Sequence, residues 1–472
     1  PPHLAAPSGW AGLGLVAVAC LVLDGSTPYP GVAALLPVLG TALVVGAGCS
    51  DPRRGVGSGL AHPVLRAIGR LSYCWYLWHW PVLLLLPSLI GRPLSLEARL
   101  SAAILSAGPA IITLVLVEDP ARFARPFRDS VRSSLLLGGA VTAAGLAASL
   151  VLLIVVPAPV GHGGAAAETR LDPVSAPAAP TESPQDAAVR GLTAQVQSAV
   201  AASVGLHAVP SNLTPPLGNA TTSKEAPFLD GCVLAWTATN RRDCTYGDPA
   251  GTTRVALFGD SHAGQWQAAL ETAAEQQHWQ VDVFSKVTCP PLDVPISSPY
   301  LHREYTECER WRSGVVDRLR ADPPALVVLA MVRRYGSDFG SASYDPQWTA
   351  GLGRTVSTLR ATGAPVLVLG PVPDPHGTVP ACLSAHLADA GACTPPRQLA
   401  VNDAGIAAQR AATEAAGGTY ADLTDLFCTQ VECPLVVGNT LVFRDDNHLT
   451  VEYAAVLGPV VSALIARALP GG

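Results

Sequence analysis

The stretch VALFGDSHAGQW, residues 255–266, decides how the rest of this chain is interpreted. Four apolar residues suited to a buried strand lead into Gly259, Asp260 and Ser261, and the run AGQWQAALETAAEQ that follows is compatible with a helix. The pattern predicts a strand, a tight turn and a helix, with the serine on the turn. The first backbone N–H groups of such a helix can hold an oxyanion that develops beside a serine hydroxyl.

A base for this serine is expected in the run RDDNHL, residues 444–449. Serine is a weak nucleophile at its ordinary pKa and requires a base nearby. We predict that His448 is the base and that Asp445 orients its ring, with Asp446 as the alternative orienter or as a turn or N-cap residue. The run DDNHL alone would also suit the polar start of a helix.

The composition indicates membrane segments. Hydrophobic residues make up 49% of the 472 residues and charged residues only 14%, and the net charge of -6 gives no reason to expect nucleic acid as a partner. Crossing the hydrocarbon core takes about 20 residues, with a lower limit of about 17. The apolar stretches that we predict as spans cover residues 10–23, 31–48, 73–90, 100–117 and 134–156.

The basic residues of the connecting segments predict an orientation. Two connections are rich in arginine, and the positive-inside rule places them in the cytoplasm, so the chain should leave the fifth span on the outer side. The arginines are Arg53, Arg54, Arg66, Arg70, Arg122, Arg125, Arg128 and Arg132. The chain starts at Pro1 without a basic n-region, so we expect no signal peptide and a piece of a longer protein.

The cysteines of the C-terminal half support this orientation. They fall in sequence as close couples separated by long gaps, which suggests disulfides in an oxidising compartment, and no cysteine spacing suggests a zinc site. The alternative is buried free thiols in a cytosolic enzyme. The predicted pairs are Cys232–Cys244, Cys289–Cys308, Cys382–Cys393 and Cys428–Cys433.

Two further regions follow the apolar stretches. Residues 157–226 are rich in Ala and Pro, so most of this region is predicted to be a flexible linker, with a short helix possible within 185–205. In residues 227–472, strands alternate with helices, which predicts a mainly parallel sheet covered on both faces. The predicted strands are 253–259, 280–285, 325–332, 365–370 and 418–423, and the predicted helices are 263–277, 305–320, 346–362, 397–416 and 450–468.

GDSHAGQW and DDNHL together resemble motifs of the SGNH hydrolase family, also called GDSL-like. The resemblance implies that residues 227–472 form a flavodoxin-like three-layer α/β sandwich. In this family the first motif carries the nucleophile, which corresponds to Ser261. The last motif, DxxH, carries the aspartate and the histidine, which correspond to Asp445 and His448.

The sequence departs from the SGNH pattern at the oxyanion hole. The family takes a glycine and an asparagine from two middle motifs, but the third predicted strand is followed by AMVRRYG, residues 330–336, without GxND. The N–H of Ser261 remains an expected donor, and the histidine after it either binds substrate or caps the helix. The candidates for further oxyanion or substrate contacts are Gly259, His262, Arg333 and Gly336.

The stretch SYCWYLWHWP, residues 72–81, resembles a late transmembrane segment of the acyltransferase 3 family. Its aromatic residues also suit an interfacial belt. His79 is an ionisable residue in a span and a candidate functional residue, and Glu118 resembles part of another family feature. Full-length members have about ten family helices and one extra helix, so residues 1–156 would be a truncated acyltransferase 3 domain without the early catalytic helices.

These resemblances imply an integral O-acyltransferase of a bacterial plasma membrane with an external SGNH domain. An acyl group, with acetyl expected, would pass from cytoplasmic acyl-CoA to Ser261 and then to a hydroxyl of a cell-envelope glycan. The partners would be the lipid bilayer, acyl-CoA and the glycan, with no metal and no cofactor bound in the SGNH domain. The alternatives are an esterase or deacetylase with the same triad, and a membrane-anchored module that binds glycan without turnover.

Overall fold

The computed structural model describes residues 2–23, 31–50, 55–90, 94–155, 161–172, 182–239, 244–340 and 342–469. The chain divides into two compact units, Pro1–Val156 and Pro157–Gly472. Arg53, Arg54 and residues 173–181 of the predicted linker lie outside the described residues.

Apart from short turns and connections, the described residues of the first unit are helical. Four of its helices are long and apolar enough to cross a membrane, and they are Ala5–Val22, Val32–Ser50, Leu96–Phe123 and Val131–Val155. The individual helices are α1 Pro2–Val22, α2 Leu35–Ser50, α3 Val56–Leu60, α4 Pro63–Ile90, α5 Leu96–Leu105, α6 Ala107–Thr113, α7 Asp119–Phe123, α8 Arg125–Arg128 and α9 Val131–Val155. A π-helical turn, Leu114–Glu118, joins α6 to α7.

The third predicted span, 73–90, is the one that differs from this set. It lies in α4, which at 28 residues is about 42 Å long and long enough to cross. Its tryptophans, its tyrosines and His79 lower its mean hydropathy, which separates it from the four strongly apolar helices. In the pair α1 and α2, a Cβ at Gly12 would lie 2.5 Å from the Gly40 carbonyl oxygen, so glycine permits the close approach of these two helices.

The second unit is built around a mainly parallel sheet, as the alternation of apolar strands and amphipathic helices predicts. Its strands are β1 Val233–Leu234, β2 Thr245–Gly247, β3 Thr253–Gly259, β4 Trp279–Lys286, β5 Ser297–Ser298, β6 Arg303–Glu304, β7 Leu326–Ala330, β8 Val366–Leu369, β9 Thr419–Ala421, β10 Val436–Val437 and β11 Thr440–Leu441. Its helices are α10 Pro184–Ser203, α11 Ala226–Leu229, α12 Ser261–Gln265, α13 Gln267–Gln276, α14 Thr306–Ala321, α15 Pro346–Arg360, α16 Val379–Ala385, α17 Arg397–Ala400, α18 Asp403–Ala415, α19 Val451–Val456 and α20 Gly458–Ala468.

The strand order of the sheet confirms the predicted flavodoxin-like sandwich. The order is β1-β4-β3-β7-β8-β9, and β2 pairs antiparallel with β4. The five central parallel strands, counted along the chain from β3, follow the order 2-1-3-4-5, and ligands on such sheets bind where the order reverses, between the first and third strands. These are β3 and β7 here, so Ser261, directly after β3, lies at this switch point.

Helices cover the sheet in two groups. Helix α20 packs against α10 and α13, and α15 packs against α14 and α18. The strand residues between them are almost fully buried, which explains their continuous apolar runs. Three predicted helices each divide in two, at Trp266, after Ala400 and at Leu457.

The linker prediction for 157–226 differs from the structure. Helix α10 begins at an N-cap serine, Ser183, and buries Leu192, Val196 and Val200 in the same core as the sheet. Val209, Leu213, Leu217 and Ala220 also belong to this core, and the Gly163 N–H bonds to the Val209 carbonyl oxygen. This segment is rich in Ala and its mean hydropathy is low. Its narrow apolar stripe, which packs against the sheet domain, is therefore not evident from the sequence.

The predicted disulfides Cys232–Cys244, Cys289–Cys308, Cys382–Cys393 and Cys428–Cys433 are confirmed. All lie in the second unit. Pairing each cysteine with its nearest neighbour along the chain was therefore the correct rule here.

Candidate active site

Ser261 is the first residue of α12, directly after β3. Asp260 is the N-cap, and its carboxylate accepts a hydrogen bond from the His262 N–H at 2.9 Å. A Cβ at Gly259 would lie 1.8 Å from the Ala330 carbonyl oxygen, so glycine is required for β3 to approach β7. This packing role explains the glycine without the oxyanion contact that the sequence suggested.

The three predicted catalytic side chains are in contact. The Ser261 hydroxyl donates to Nε2 of His448 at 2.9 Å, and Nδ1 of His448 donates to Oδ2 of Asp445 at 2.9 Å. Oδ1 of Asp445 accepts from the backbone N–H groups of His448 and Asn447 at 2.7 and 2.9 Å. With the Nδ1 proton held by Asp445, the lone pair of Nε2 faces the serine, as a general base requires.

Asp445 is an ionised carboxylate in this arrangement. Burial by itself would raise its pKa, but the hydrogen bond and charge of His448 and the two backbone N–H groups hold the pKa well below its ordinary value. Asp446, the alternative orienter, instead bonds to Arg334 at 2.8 Å. Asp445 is therefore the residue that orients the histidine.

The carboxylate of Asp260 ties the serine turn to the neighbouring loop. Its Oδ2 accepts from the Val332 N–H and from the Tyr335 hydroxyl, each at 2.9 Å, and the Ser285 hydroxyl donates to its carbonyl oxygen. Burial raises the pKa of Asp260 to about 6, so the carboxylate is ionised at neutral pH and accepts from the N–H groups of His262 and Val332 and from the Tyr335 hydroxyl. Sequence reasoning missed Val332 and Tyr335, because no motif marks a long-range partner of this kind.

His262 lies beside His448, with the two ring centroids 5.0 Å apart. The Leu449 N–H bonds to Oε1 of Gln265, so the Gln265 amide nitrogen donates to Nδ1 of His262 and the imidazole proton is on Nε2. That N–H has no partner among the described residues. Burial, followed by the charge of His448, holds the pKa of His262 well below its ordinary value, so the ring is neutral.

The structure distinguishes the two roles considered for His262, substrate binding and helix capping. The helix cap is the side chain of Asp260, so the capping role was wrong. His262 is 2% exposed, and its ring packs beside the ring of the catalytic histidine. A direct contact with substrate would require the ring to move.

The described contacts of Arg333 and Gly336 are with groups other than the serine. The Arg333 guanidinium donates to the Ala400 carbonyl oxygen. Gly336 is the residue before a short 3₁₀ helix, Ser337–Phe339, and a Cβ there would meet the carboxylate of Asp338. Whether Arg333 or Gly336 replaces the missing GxND motif stays a prediction, because these contacts involve the Arg333 guanidinium and the turn at Gly336, not the backbone N–H groups that would hold an oxyanion.

Arg334 is the residue of this loop that reaches the active-site rim. Its Nε and Nη2 bond to the two oxygens of Asp374 at 2.8 and 2.9 Å, and its Nη1 bonds to Asp446 at 2.8 Å. These side chains come from the loops after β7 and β8 and from the DDNHL loop. No sequence motif singles out Arg334 over Arg333.

A buried ion pair lies at the start of the DDNHL loop. Arg444 bonds to Glu225, and their side chains are 2% and 0% exposed. The Arg444 guanidinium carbon lies 4.3 Å from the ring centroid of Phe228, whose edge faces the His448 ring at 5.6 Å. The Arg444 N–H also bonds to the His448 carbonyl oxygen. Glu225 was missed because we placed the domain boundary at 227, and Phe228 was missed because no motif marks it.

The predicted membrane residues have local partners within the first unit. Nδ1 of His79 lies 2.6 Å from the Tyr76 carbonyl oxygen of the same helix. Glu118, at the end of the π-helical turn, accepts from the Cys74 thiol at 2.9 Å and lies 3.6 Å from Arg122. Among the described residues of the chain, no group of three or more His, Cys, Asp or Glu side chains could hold a metal ion.

This geometry defines a class of protein. A Ser-His-Asp arrangement at the switch point of a flavodoxin-like sheet belongs to the SGNH-type, acyl-modifying enzymes. Residues 231–463 match the family model described as "SGNH domain (fused to AT3 domains)". The C-terminal part of this chain is therefore an SGNH domain of the kind that is fused to AT3 domains, and the four apolar helices before it fit a membrane part.

The other comparisons are weaker. No curated protein sequence matches this chain. The periplasmic domain of the Salmonella ser. Paratyphi A lipopolysaccharide acetyltransferase is 18% identical, with a TM-score of 0.38 over 46% of this chain and 85% of that chain. A putative acylhydrolase of Bacteroides fragilis NCTC 9343 is 14% identical, with a TM-score of 0.29 over 48% of this chain and 91% of that chain. Likeness at these values carries no argument about function.

Proposed function

We propose that the SGNH domain is an O-acyltransferase that moves an acyl group, acetyl in the first instance, through an ester of Ser261 to a hydroxyl of a cell-envelope glycan. The observation that carries the proposal is the unbroken series of hydrogen bonds from Asp445 through His448 to Ser261. That series is what activation of a serine nucleophile requires.

The first half-reaction loads the serine. Oγ of Ser261 attacks the carbonyl carbon of the acyl donor while Nε2 of His448 takes the hydroxyl proton. The tetrahedral oxyanion is held by the N–H of Ser261 at the start of α12. The carbon–leaving-group bond then breaks, and the leaving group takes the proton from His448. Asp445 remains ionised throughout and stabilises the imidazolium.

The second half-reaction transfers the acyl group from Ser261 to the acceptor. An acceptor hydroxyl gives its proton to Nε2 of His448 and attacks the acyl carbon. The ester bond to Ser261 breaks, and the serine oxygen recovers a proton from His448. In this step the new ester forms on the acceptor and the enzyme returns to its starting state.

The compartment and donor follow from the chain as a whole. The disulfides and the arginine distribution support an SGNH domain on the outer face of a bacterial plasma membrane. The donor that we propose is cytoplasmic acyl-CoA, acting through a complete AT3 membrane domain. His79 and Glu118 are candidates for that part of the pathway because ionisable residues in spans often mark one.

Hydrolysis is the alternative outcome of the same chemistry. The His448 side chain is 17% exposed, so water can reach the catalytic base. An esterase or deacetylase would use water in place of the glycan hydroxyl. The two functions differ only in the second half-reaction.

The proposal is tested with the detergent-solubilised chain, 4-nitrophenyl acetate as donor and maltopentaose as acceptor. We expect acetylated sugar to increase with acceptor concentration, while Ser261→Ala gives neither transfer nor hydrolysis. Hydrolysis that is unaffected by excess acceptor would favour the esterase. Turnover that survives in Ser261→Ala would contradict the covalent mechanism.

A further inference from the structure

Arg334, Asp374 and Asp446 form a group of charged side chains beside the catalytic triad, and we call it the rim cluster. We propose that the rim cluster is the binding subsite for hydroxyl groups of a neutral sugar residue of the acceptor. The proposal rests on the transferase function above and specifies where the acceptor is held.

The rim cluster adjoins the reacting atoms through two short connections. Asp446 follows Asp445 in the chain, and Arg334 lies two residues after Val332, whose N–H bonds to Asp260. The first connection leads to His448 and the second to the residue before Ser261. Both ends of the Asp446–Arg334 bridge are thus anchored next to the triad.

The rim cluster keeps polar groups available for a ligand. A guanidinium carries five N–H donors, and Arg334 uses three in its hydrogen bonds to Asp374 and Asp446. The Arg334 and Asp446 side chains are 30% and 48% exposed, whereas Asp374 is mostly buried and fixes the guanidinium plane. A planar donor group beside an exposed carboxylate offers both donors and acceptors, which a sugar hydroxyl needs because it donates and accepts.

The charge of the rim cluster selects the class of acceptor. Two carboxylates and one guanidinium leave one net negative charge at neutral pH. The ionised Asp445 adds to it on the same loop. This field disfavours uronic acids and phosphorylated sugars, and it leaves neutral polyhydroxylated residues as the ligand that the subsite fits.

A purely structural clamp is the competing interpretation. Partly exposed ion pairs contribute little to stability, typically 0 to about 1 kcal/mol. A clamp of this kind would change the transfer and hydrolysis rates together, through the position of His448. A subsite would change the partition of the acyl-serine between sugar and water.

The partition is measured with 4-nitrophenyl acetate as donor and either maltopentaose or pentagalacturonate as acceptor. In Asp446→Ala and Arg334→Lys we expect the ratio of transfer to hydrolysis with maltopentaose to fall about ten-fold, the value of one or two lost hydrogen bonds. The matched control is Arg354→Lys on α15, which alters an exposed pair between Arg354 and Asp293 and should keep the wild-type ratio. Unchanged ratios in both rim variants, or preferred transfer to pentagalacturonate, would overturn the proposal.

A binding measurement separates this proposal from the transferase function. Saturation-transfer NMR of maltopentaose with the Ser261→Ala chain should show contact with the sugar. The contact should weaken about ten-fold in the Ser261→Ala/Asp446→Ala double variant. Equal binding by the two chains would contradict the subsite. Wild-type protein that binds maltopentaose through Asp446 but transfers nothing to it would contradict the transferase function alone.

Discussion

Two arginines close to the DDNHL loop bond to carboxylates, but they do so in different surroundings. Arg444 and Glu225 are almost completely buried, and Arg444 also stacks on Phe228. Arg334, with Asp374 and Asp446, lies on the rim and is partly open to water. The same pairing of charges should therefore have different consequences, with stability depending on the buried pair and acceptor binding on the exposed one.

The physical reason is the cost of removing charge from water. Breaking a buried pair leaves an uncompensated charge in a medium of low dielectric constant, whereas an exposed charge is solvated again. Burial raises the pKa of Glu225, and the charge of Arg444 only partly offsets this effect. Glu225 thus depends on Arg444 much more than Asp446 depends on Arg334.

The largest effect is expected from removal of the segment that supplies Glu225. A chain that begins at residue 231 retains the family-matched part but loses α10, whose Leu192, Val196 and Val200 are buried in the core. Each such side chain contributes about 1.5–3 kcal/mol, against a total stability of about 5–15 kcal/mol. We expect no cooperative thermal transition by circular dichroism for 231–472. A chain that begins at residue 157 should show one, and equal melting temperatures would refute the contribution of this segment.

Arg444→Met should be next in size. It leaves Glu225 buried without its partner, and the free energy of unfolding should fall by about 3–5 kcal/mol. Urea denaturation measures this change. The double variant Arg444→Met/Glu225→Leu should recover part of the loss, because neither side chain of the pair then carries a charge. A double variant less stable than the single one would contradict the account of the buried pair.

Asp445→Asn should have a smaller effect that depends on pH. Because the pKa of Asp445 is held below its unfolded value of about 3.9, its ionised form stabilises the folded state above that pH. The contribution is lost as the pH falls through the folded pKa. Asp445→Asn should therefore be less stable than wild type by about 1 kcal/mol between pH 5 and 8. The difference between the two proteins should shrink progressively as the pH falls below about 4 towards the folded pKa, and a gap that widens in acid would contradict this sign.

Arg334→Lys should have the smallest effect on stability. Its exposed pairs are expected to change the free energy of unfolding by less than about 1 kcal/mol. The same urea experiment on Arg354→Lys gives the reference value for an exposed pair. A loss comparable to that in Arg444→Met would remove the distinction between the buried pair and the rim cluster.

The parts of the molecule that were predicted correctly depend on local patterns. The apolar run before Gly259 indicates a buried strand, and the spacing of Asp445 and His448 brings both to one loop. The disulfides join near neighbours in sequence. Each of these features needs only a few consecutive residues, so the sequence alone was sufficient.

The parts that were missed depend on contacts between distant segments. Val332 and Tyr335 reach Asp260 from the loop after β7, and Glu225 reaches Arg444 from a segment whose composition is typical of a linker. No periodicity encodes such contacts. The choice between Arg333 and Arg334 likewise depends on which way each side chain leaves the loop after β7.

The central claim is that Ser261 carries the acyl group between donor and acceptor. Peptide mass spectrometry of the chain, quenched in acid soon after mixing with 4-nitrophenyl acetate, tests it most directly. We predict one acetyl group on the peptide that contains Ser261, which disappears when maltopentaose is added as acetylated sugar forms. Acetylated sugar formed without an acetyl group on that peptide, or formed equally by Ser261→Ala, would contradict the account.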